Sequence, residues 1–181
     1  MERNRQEISQ CIFRFGKDIM KNYLSRTIRY ISHSLNILFI NMICKNITIG
    51  NHFRYRKRLE LNCDSEGKIE IGDNVFFNND CSVNSHNIIR IGDNCIFGEN
   101  VKIYDHNHRF ALKDKLIRDQ GYSSKKILIG EDCWIGSNVI ILAGSIIGKH
   151  CGIGAGSIIS SNIPDYSIVR SNRNNTIEPI R

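Results

Sequence analysis

Apolar residues recur along this chain every six positions. Ile129, Ile135, Ile141, Ile147, Ile153 and Ile159 form an unbroken series at that spacing. A helix repeats its apolar face every 3.6 residues and a strand every second residue, so neither explains it. The period suits a chain that runs a short strand, turns a corner and begins again, so that three faces close a triangular coil of 18 residues.

The register extends backward with breaks. Ile91, Phe97 and Ile103 form one set, Ile71, Phe77 and Val83 another, and Ile49, Tyr55 and Leu61 a weaker third. Five coils are expected, at 49–66, 71–88, 91–108, 129–146 and 147–164. Short bulges fall at 67–70 and 89–90, and an excursion loop at 109–128 is too long to be a mere corner. Glycine follows the repeat residue at 50, 72, 92, 130, 136, 148 and 154, where a corner would use its freedom of backbone angle. Asp-Asn follows at 73–74 and 93–94, both turn formers. Cys81, Cys95, Cys133 and Cys151 all stand two residues before a repeat residue, in the slot that Ile69, Val75, Val101, Ile127, Val139, Ser145 and Ser157 hold in other rungs. That slot faces inward, so these are buried thiols acting as small hydrophobes.

The pattern changes at both ends. Ile8, Ile12, Phe15 and Ile19, then Leu24, Ile28, Ile31, Leu35 and Leu38, recur at three-to-five spacing and predict one or two amphipathic helices within 1–45. Seven Lys and Arg against three Asp and Glu occupy residues 1–30. Two uses are open: a cap over the end of the coil stack, or peripheral attachment to the inner face of an anionic membrane. Residues 165–181 are expected to form a C-terminal tail.

Composition narrows the picture little further. The chain has 181 residues, a net charge of +7, 41% apolar and 24% charged residues, the profile of one globular domain with an appendage. The positive excess suits a polyanionic ligand, an anionic polymer or a membrane surface alike. The cations form no long run interleaved with aromatics, so no nucleic-acid partner is expected. Residues 1–10 carry charge before any apolar stretch and no apolar run is long enough to span a bilayer, which points to a cytoplasmic chain with reduced thiols.

Candidate chemistry gathers at one break in the period. Two of the six histidines, His106 and His108, stand in Ile103-Tyr104-Asp105-His106-Asn107-His108-Arg109, directly before the excursion. A pair of histidines beside a loop on a rigid scaffold reads as a site. Zinc is the rival use: His106 and His108 supply two ligands, with His86 one coil below as a neighbour, but a third ligand is not evident. No metal is expected.

From Asn78 to about Ile177 the chain resembles the hexapeptide-repeat acyltransferases, in particular the maltose and galactoside acetyltransferase branch and the bacterial polysaccharide O-acetyltransferases. The motifs that carry the resemblance are Ile-Gly-Asp-Asn (91–94), Asn-His-Arg (107–109), Ile-Leu-Ile-Gly-Glu-Asp-Cys-Trp-Ile-Gly-Ser-Asn-Val (127–139) and Ile-Gly-Ala-Gly-Ser-Ile-Ile (153–159). The resemblance implies an all-β, left-handed parallel β-helix. It also implies an acetyl-CoA-dependent O-acetyltransferase acting on a sugar hydroxyl, that of a surface polysaccharide (capsule, O-antigen or exopolysaccharide) or its precursor.

In that family pattern His108 matches the general base, since a neutral imidazole can take the hydroxyl proton as the oxygen attacks the thioester. The backbone N–H of Ser137 matches the oxyanion donor. Trp134, Ser137, Ala143, Gly144, Ala155, Gly156, Ser160 and Ser161 match positions along the CoA arm, and Asn78, His106 and Arg109 fall on the acceptor side. Relatives carry Gly-x-Pro-Ala plus a cation after the last coil; here Ser171 and Arg173 replace the Gly and Pro, and Arg170 or Arg173 is left to meet the CoA phosphates. A homotrimer with active sites between subunits is implied, its excursion reaching toward a neighbour. Acetylation of free sugars or antibiotics, an assembly scaffold without activity, and a zinc hydratase of carbonic-anhydrase type remain open beside this reading.

Overall fold

The structure is a computed structural model that describes residues 45–171. The helices expected within 1–45, the membrane contact inferred from them and Arg173 fall outside the described residues.

Within them the chain forms a parallel β-helix. The first coil comprises β1 (Ile47–Ile49), β2 (Arg54–Tyr55) and β3 (Glu60–Cys63), and the second β4 (Lys68–Ile71), β5 (Phe76–Phe77) and β6 (Ser82–Ser85). The third holds β7 (Ile88–Ile91), β8 (Ile96–Phe97) and β9 (Lys102–Tyr104). An antiparallel hairpin of β10 (His106–His108) and β11 (Tyr122–Ser124) then leaves the stack. The fourth coil holds β12 (Ile127–Ile129), β13 (Trp134–Ile135) and β14 (Ile140–Leu142), and the fifth β15 (Ile146–Ile147), β16 (Gly152–Ile153) and β17 (Ile158–Ile159). Beyond the five expected coils, β18 (Asn162–Ile163) and β19 (Ile168–Val169) add two sides of a sixth, so the stack runs on into the segment expected to be a tail.

Three parallel sheets make the faces: β1-β4-β7-β12-β15-β18, β2-β5-β8-β13-β16-β19 and β3-β6-β9-β14-β17. We call these the first, second and third face. Repeat residues stack on one another, with Ile91 over Ile71, Ile129 over Ile91 and Ile147 over Ile129. All four are buried, as are Phe77 and Phe97, whose rings stack 4.2 Å apart. Full burial of side chains of this size contributes roughly 1.5–3 kcal/mol each as an upper bound.

The lengths of the breaks match the expected insertions, but their positions differ. Lys68–Ile71 and Ile88–Ile91 are strands, and Ile69, Ile89 and Ile127 are completely buried. Inward residues paired on both sides have no room to bulge, so the extra residues sit instead just upstream, at the turn from the third face to the first. Every irregularity falls there. From third-face to first-face repeat residue the chain runs Leu61 to Ile71, Val83 to Ile91, Ile103 to Ile129, Ile141 to Ile147 and Ile159 to Ile163. The other two corners keep a spacing of six throughout.

The glycines also have a different cause from the one expected. The left-handed backbone at the regular corners lies three residues after the repeat residue, at Asn74 (φ 57°), Asn94 (61°), Asn100 (55°), Asp132 (55°) and Asn138 (59°) among others, with His52, Arg58, His150 and Tyr166 in the same position. Asparagine and aspartate tolerate that region best among residues with a side chain. The glycines one residue after the repeat serve close approach instead: a Cβ on Gly92 would lie 2.6 Å from the Glu131 backbone nitrogen, and one on Gly130 2.6 Å from that of Lys149. Asp93 Oδ1 accepts from the Asp73 N–H of the coil below at 2.8 Å, and Asp165 Oδ1 from that of Lys149 at 2.9 Å, which ties corner to corner.

The cysteines occupy the inward slot. Cys81, Cys95, Cys133 and Cys151 are buried, and each thiol donates to a carbonyl of the adjacent coil, at Gly98, Gly130, Gly148 and Pro164. Burial pushes the Cys81 and Cys151 thiols up, away from nucleophilic thiolate.

Candidate active site

The irregular corner collects the polar chemistry. Three residues after the third-face repeat residues Leu61, Val83 and Ile103 stand Asp64, His86 and His106, one above another. His86 Nδ1 is 2.5 Å from Asp64 Oδ2, and the His86 and His106 rings lie 3.8 Å apart. The expected neighbourhood of His86 and His106 is therefore real, but it is a ring contact flanked by carboxylates. Among the described residues no group of three or more His, Cys, Asp or Glu is placed to hold a metal ion.

Asp105 organises this corner from inside. Its side chain is fully buried and accepts from Ser85 Oγ, His86 N–H and Asn87 N–H, each at 2.8 Å, while His106 Nδ1 lies 3.2 Å away. A buried carboxylate needs such a set of donors to offset its lost hydration. One side chain thus fixes the turns of two successive coils. Sequence reasoning did not single it out, although its place two residues after Ile103, among paired repeat residues, marks it as inward.

His108 stands on the hairpin rather than on the stack. It pairs across the ladder with Tyr122, and the two rings lie 4.5 Å apart. Tyr122 also approaches His86 at 4.4 Å and His106 at 5.3 Å. His108 is exposed, as is Arg109, whose N–H donates to Gly121 O at 2.9 Å. Farther out, Gln120 is buried and holds the excursion together through Leu112 N–H, Leu112 O and Lys115 O. Below the histidines a groove of about 800 Å³ is lined in part by Lys45, Asn62, Asp64, Asn84, His86 and His106.

The residues expected to bind CoA divide between places. Ala143 and Gly144, then Ser160 and Ser161, continue the irregular corner above the hairpin. Gly144 is partly covered, since a Cβ there would meet Lys125 Cδ at 3.2 Å. Ser137, Ala155 and Gly156 occupy the turn from second to third face, as does Asn78 two coils lower, its Oδ1 accepting from Asn79 N–H at 2.9 Å. Trp134 projects from the second face, 56% exposed, in one column with Ile96 at 51% and Ile168 at 70%. Arg170 is exposed just beyond β19.

Within one chain, therefore, His108 and Ser137 stand at opposite edges of the third face. Asn138 stacks on Asn100 at one edge of that face, and β9 (Lys102–Tyr104) lies between Asn100 and His106 at the other.

The comparisons with known proteins agree with this architecture. The bacterial transferase hexapeptide (six repeats) family matches residues 126–161. The chain is 30% identical over 131 residues to the putative lipopolysaccharide biosynthesis O-acetyl transferase WbbJ of Escherichia coli K12, covering 68% of this chain and 67% of that protein. A maltose O-acetyltransferase from Clostridium difficile superimposes with a TM-score of 0.62 at 28% identity, covering 84% of this chain and 86% of the other. A hexapeptide-repeat acetyltransferase of Vibrio cholerae, solved with acetyl coenzyme A, gives a TM-score of 0.54 at 25% identity over 65% of each chain. Three further curated relatives match over shorter stretches, and the chain spans 34%, 20% and 24% of their lengths. The coil is the left-handed parallel β-helix of these enzymes, and the chain belongs to the bacterial hexapeptide-repeat transferase family.

Proposed function

We propose that this chain transfers the acetyl group of acetyl-CoA to a sugar hydroxyl of a bacterial surface polysaccharide or its precursor. The observation that carries the reading is the position of His108, on a hairpin anchored at the irregular corner and two residues beyond His106, which lines a polar groove. Amides, a carboxylate and imidazoles in such a groove suit the many hydroxyls of a glycan. The relatives support the class, among them the putative lipopolysaccharide O-acetyl transferase of Escherichia coli.

The proposed chemistry is direct. The His108 imidazole removes the acceptor hydroxyl proton as that oxygen bonds to the thioester carbonyl carbon. The Ser137 backbone N–H donates to the resulting oxyanion. The C–S bond then breaks, and the departing thiolate takes the proton back from His108. No acyl-enzyme forms, so the buried thiols have no part.

Since His108 and Ser137 stand at opposite edges of the third face in one chain, the base of one copy works, in this reading, with the second face of another. The exposed column of Ile96, Trp134 and Ile168 beside Ser137 fits that arrangement, and we propose a homotrimer with three shared sites.

CoA-thiol release over a panel of polymeric glycans, free sugars and antibiotics tests the function and separates its acceptor classes. H108A is expected to lower kcat by about two to four orders of magnitude; full turnover in H108A sinks the assignment. Mixing inactive H108A with inactive W134A chains should restore part of the activity if each site draws on two copies. An absence of acetyl-CoA binding by calorimetry would leave the scaffold reading standing.

A further inference from the structure

Tyr122 lies on a part of the chain that the sequence shows only as an excursion, yet its ring stands among three histidines. Its Cα is the ladder partner of His108, and the ring centroids are 4.5 Å apart at 43°. The same ring lies 4.4 Å from His86 and 5.3 Å, edge on, from His106. The His108 imidazole packs against the Tyr122 ring. The strand that carries Tyr122 is held at both ends. Arg109 N–H donates to Gly121 O at 2.9 Å before it, and Lys125 N–H donates to Asp105 O at 2.8 Å after it. Asp105 in turn fixes the His86 and Asn87 backbone.

We infer that Tyr122 is a positioning residue: its ring holds the His108 imidazole in register with the Asp105-anchored corner. The inference rests on the reading of His108 as general base. The contact is made by the aromatic ring, and Tyr122 is 42% exposed, so a smaller residue there leaves the coil core untouched. A rotation of the base by an ångström or so lowers turnover without weakening substrate binding.

The experiment compares Y122F, Y122A and H108A with acetyl-CoA and a p-nitrophenyl glycoside as acceptor, alongside NMR of the imidazole protons, with His108 identified by its loss in H108A. Y122F is expected to keep kcat within about twofold, and Y122A to lose about tenfold in kcat with KM for acetyl-CoA within about twofold. In the wild type and Y122F, His108 protons should show the upfield ring-current shift that Y122A removes. Full turnover in Y122A, a loss in Y122F equal to that in Y122A, or no ring-current shift in the wild type overturns the inference. If H108A also keeps full turnover, the functional reading fails with it; if only Y122A does, the reading of His108 stands and this inference alone falls. The NMR result decides the contact even if Y122A proves unstable.

Discussion

Two corners of the triangle keep a spacing of six in every coil, and the third changes its length along the stack. At the regular corners the chain keeps six residues per side, with a left-handed residue, most often asparagine or aspartate, three positions after the repeat residue, and glycines such as Gly92 and Gly130 where the next coil comes closest. At the third, successive turns run from Leu61 to Ile71, Val83 to Ile91 and Ile103 to Ile129, then tighten through Ile141 to Ile147 and Ile159 to Ile163. Asp64, His86, Asp105 and His106 belong to this corner, and the hairpin that bears His108 leaves from it. A solenoid can change one edge freely, because each coil contacts only its neighbours and the other two edges keep the register. Stability and chemistry are thereby assigned to different edges of one stack.

The comparison can be broken from either side. The largest effect is expected from F97A, which empties a ring stacked between coils: about 3–5 kcal/mol in urea unfolding, with near-normal turnover in the fraction that stays folded. A D105N change should lower stability by about 2 kcal/mol, because an amide N–H₂ cannot replace every acceptor of the buried carboxylate. Unlike F97A it should also lower kcat at temperatures well below melting. Normal activity in D105N would end the division of labour between edges. At a regular corner N94A should cost about 1 kcal/mol through its positive φ, and N94G should not, with acetyl transfer unaffected by either.

The smallest effect belongs to the flat first face. Arg90 and Lys68 donate to the Glu70 carboxylate and hold it below its ordinary value of 4.5. A depressed carboxyl stabilises the fold above its unfolded value and loses that contribution as pH falls through the folded one. E70Q should therefore cost about 0.5 kcal/mol at pH 7, a difference that fades below pH 4.5.

Much of this was legible in the sequence, and what was hidden has a physical reason. Burial demands a side chain of fixed character at fixed spacing, so the repeat residues, the inward cysteines and the length of each break could all be counted. The placement of the breaks could not be counted from the repeat residue alone; the inward slot two residues earlier, at Ile69, Ile89 and Ile127, is what pushes the extra residues upstream. The stacking of Asp64, His86 and His106 follows from register once the corner is known, since each stands three residues after a repeat residue. Asp105 and Tyr122 escaped because their partners come from hydrogen bonds and ring contacts across coils, which carry no period. The glycines were seen but explained by their own angles, when the constraint lies in the coil above.

The hairpin excursion separates Ile91 from its partner Ile129 by 38 residues, where the next coil, from Ile129 to Ile147, uses 18. Closing the longer loop costs only about 0.7 kcal/mol more, since the entropy grows with the logarithm of length. An edge that accepts twenty extra residues at so slight a cost can be refitted with new side chains while the stack beneath it stays the same. For such a chain, acquiring a different acceptor is a change of loop and not a change of fold.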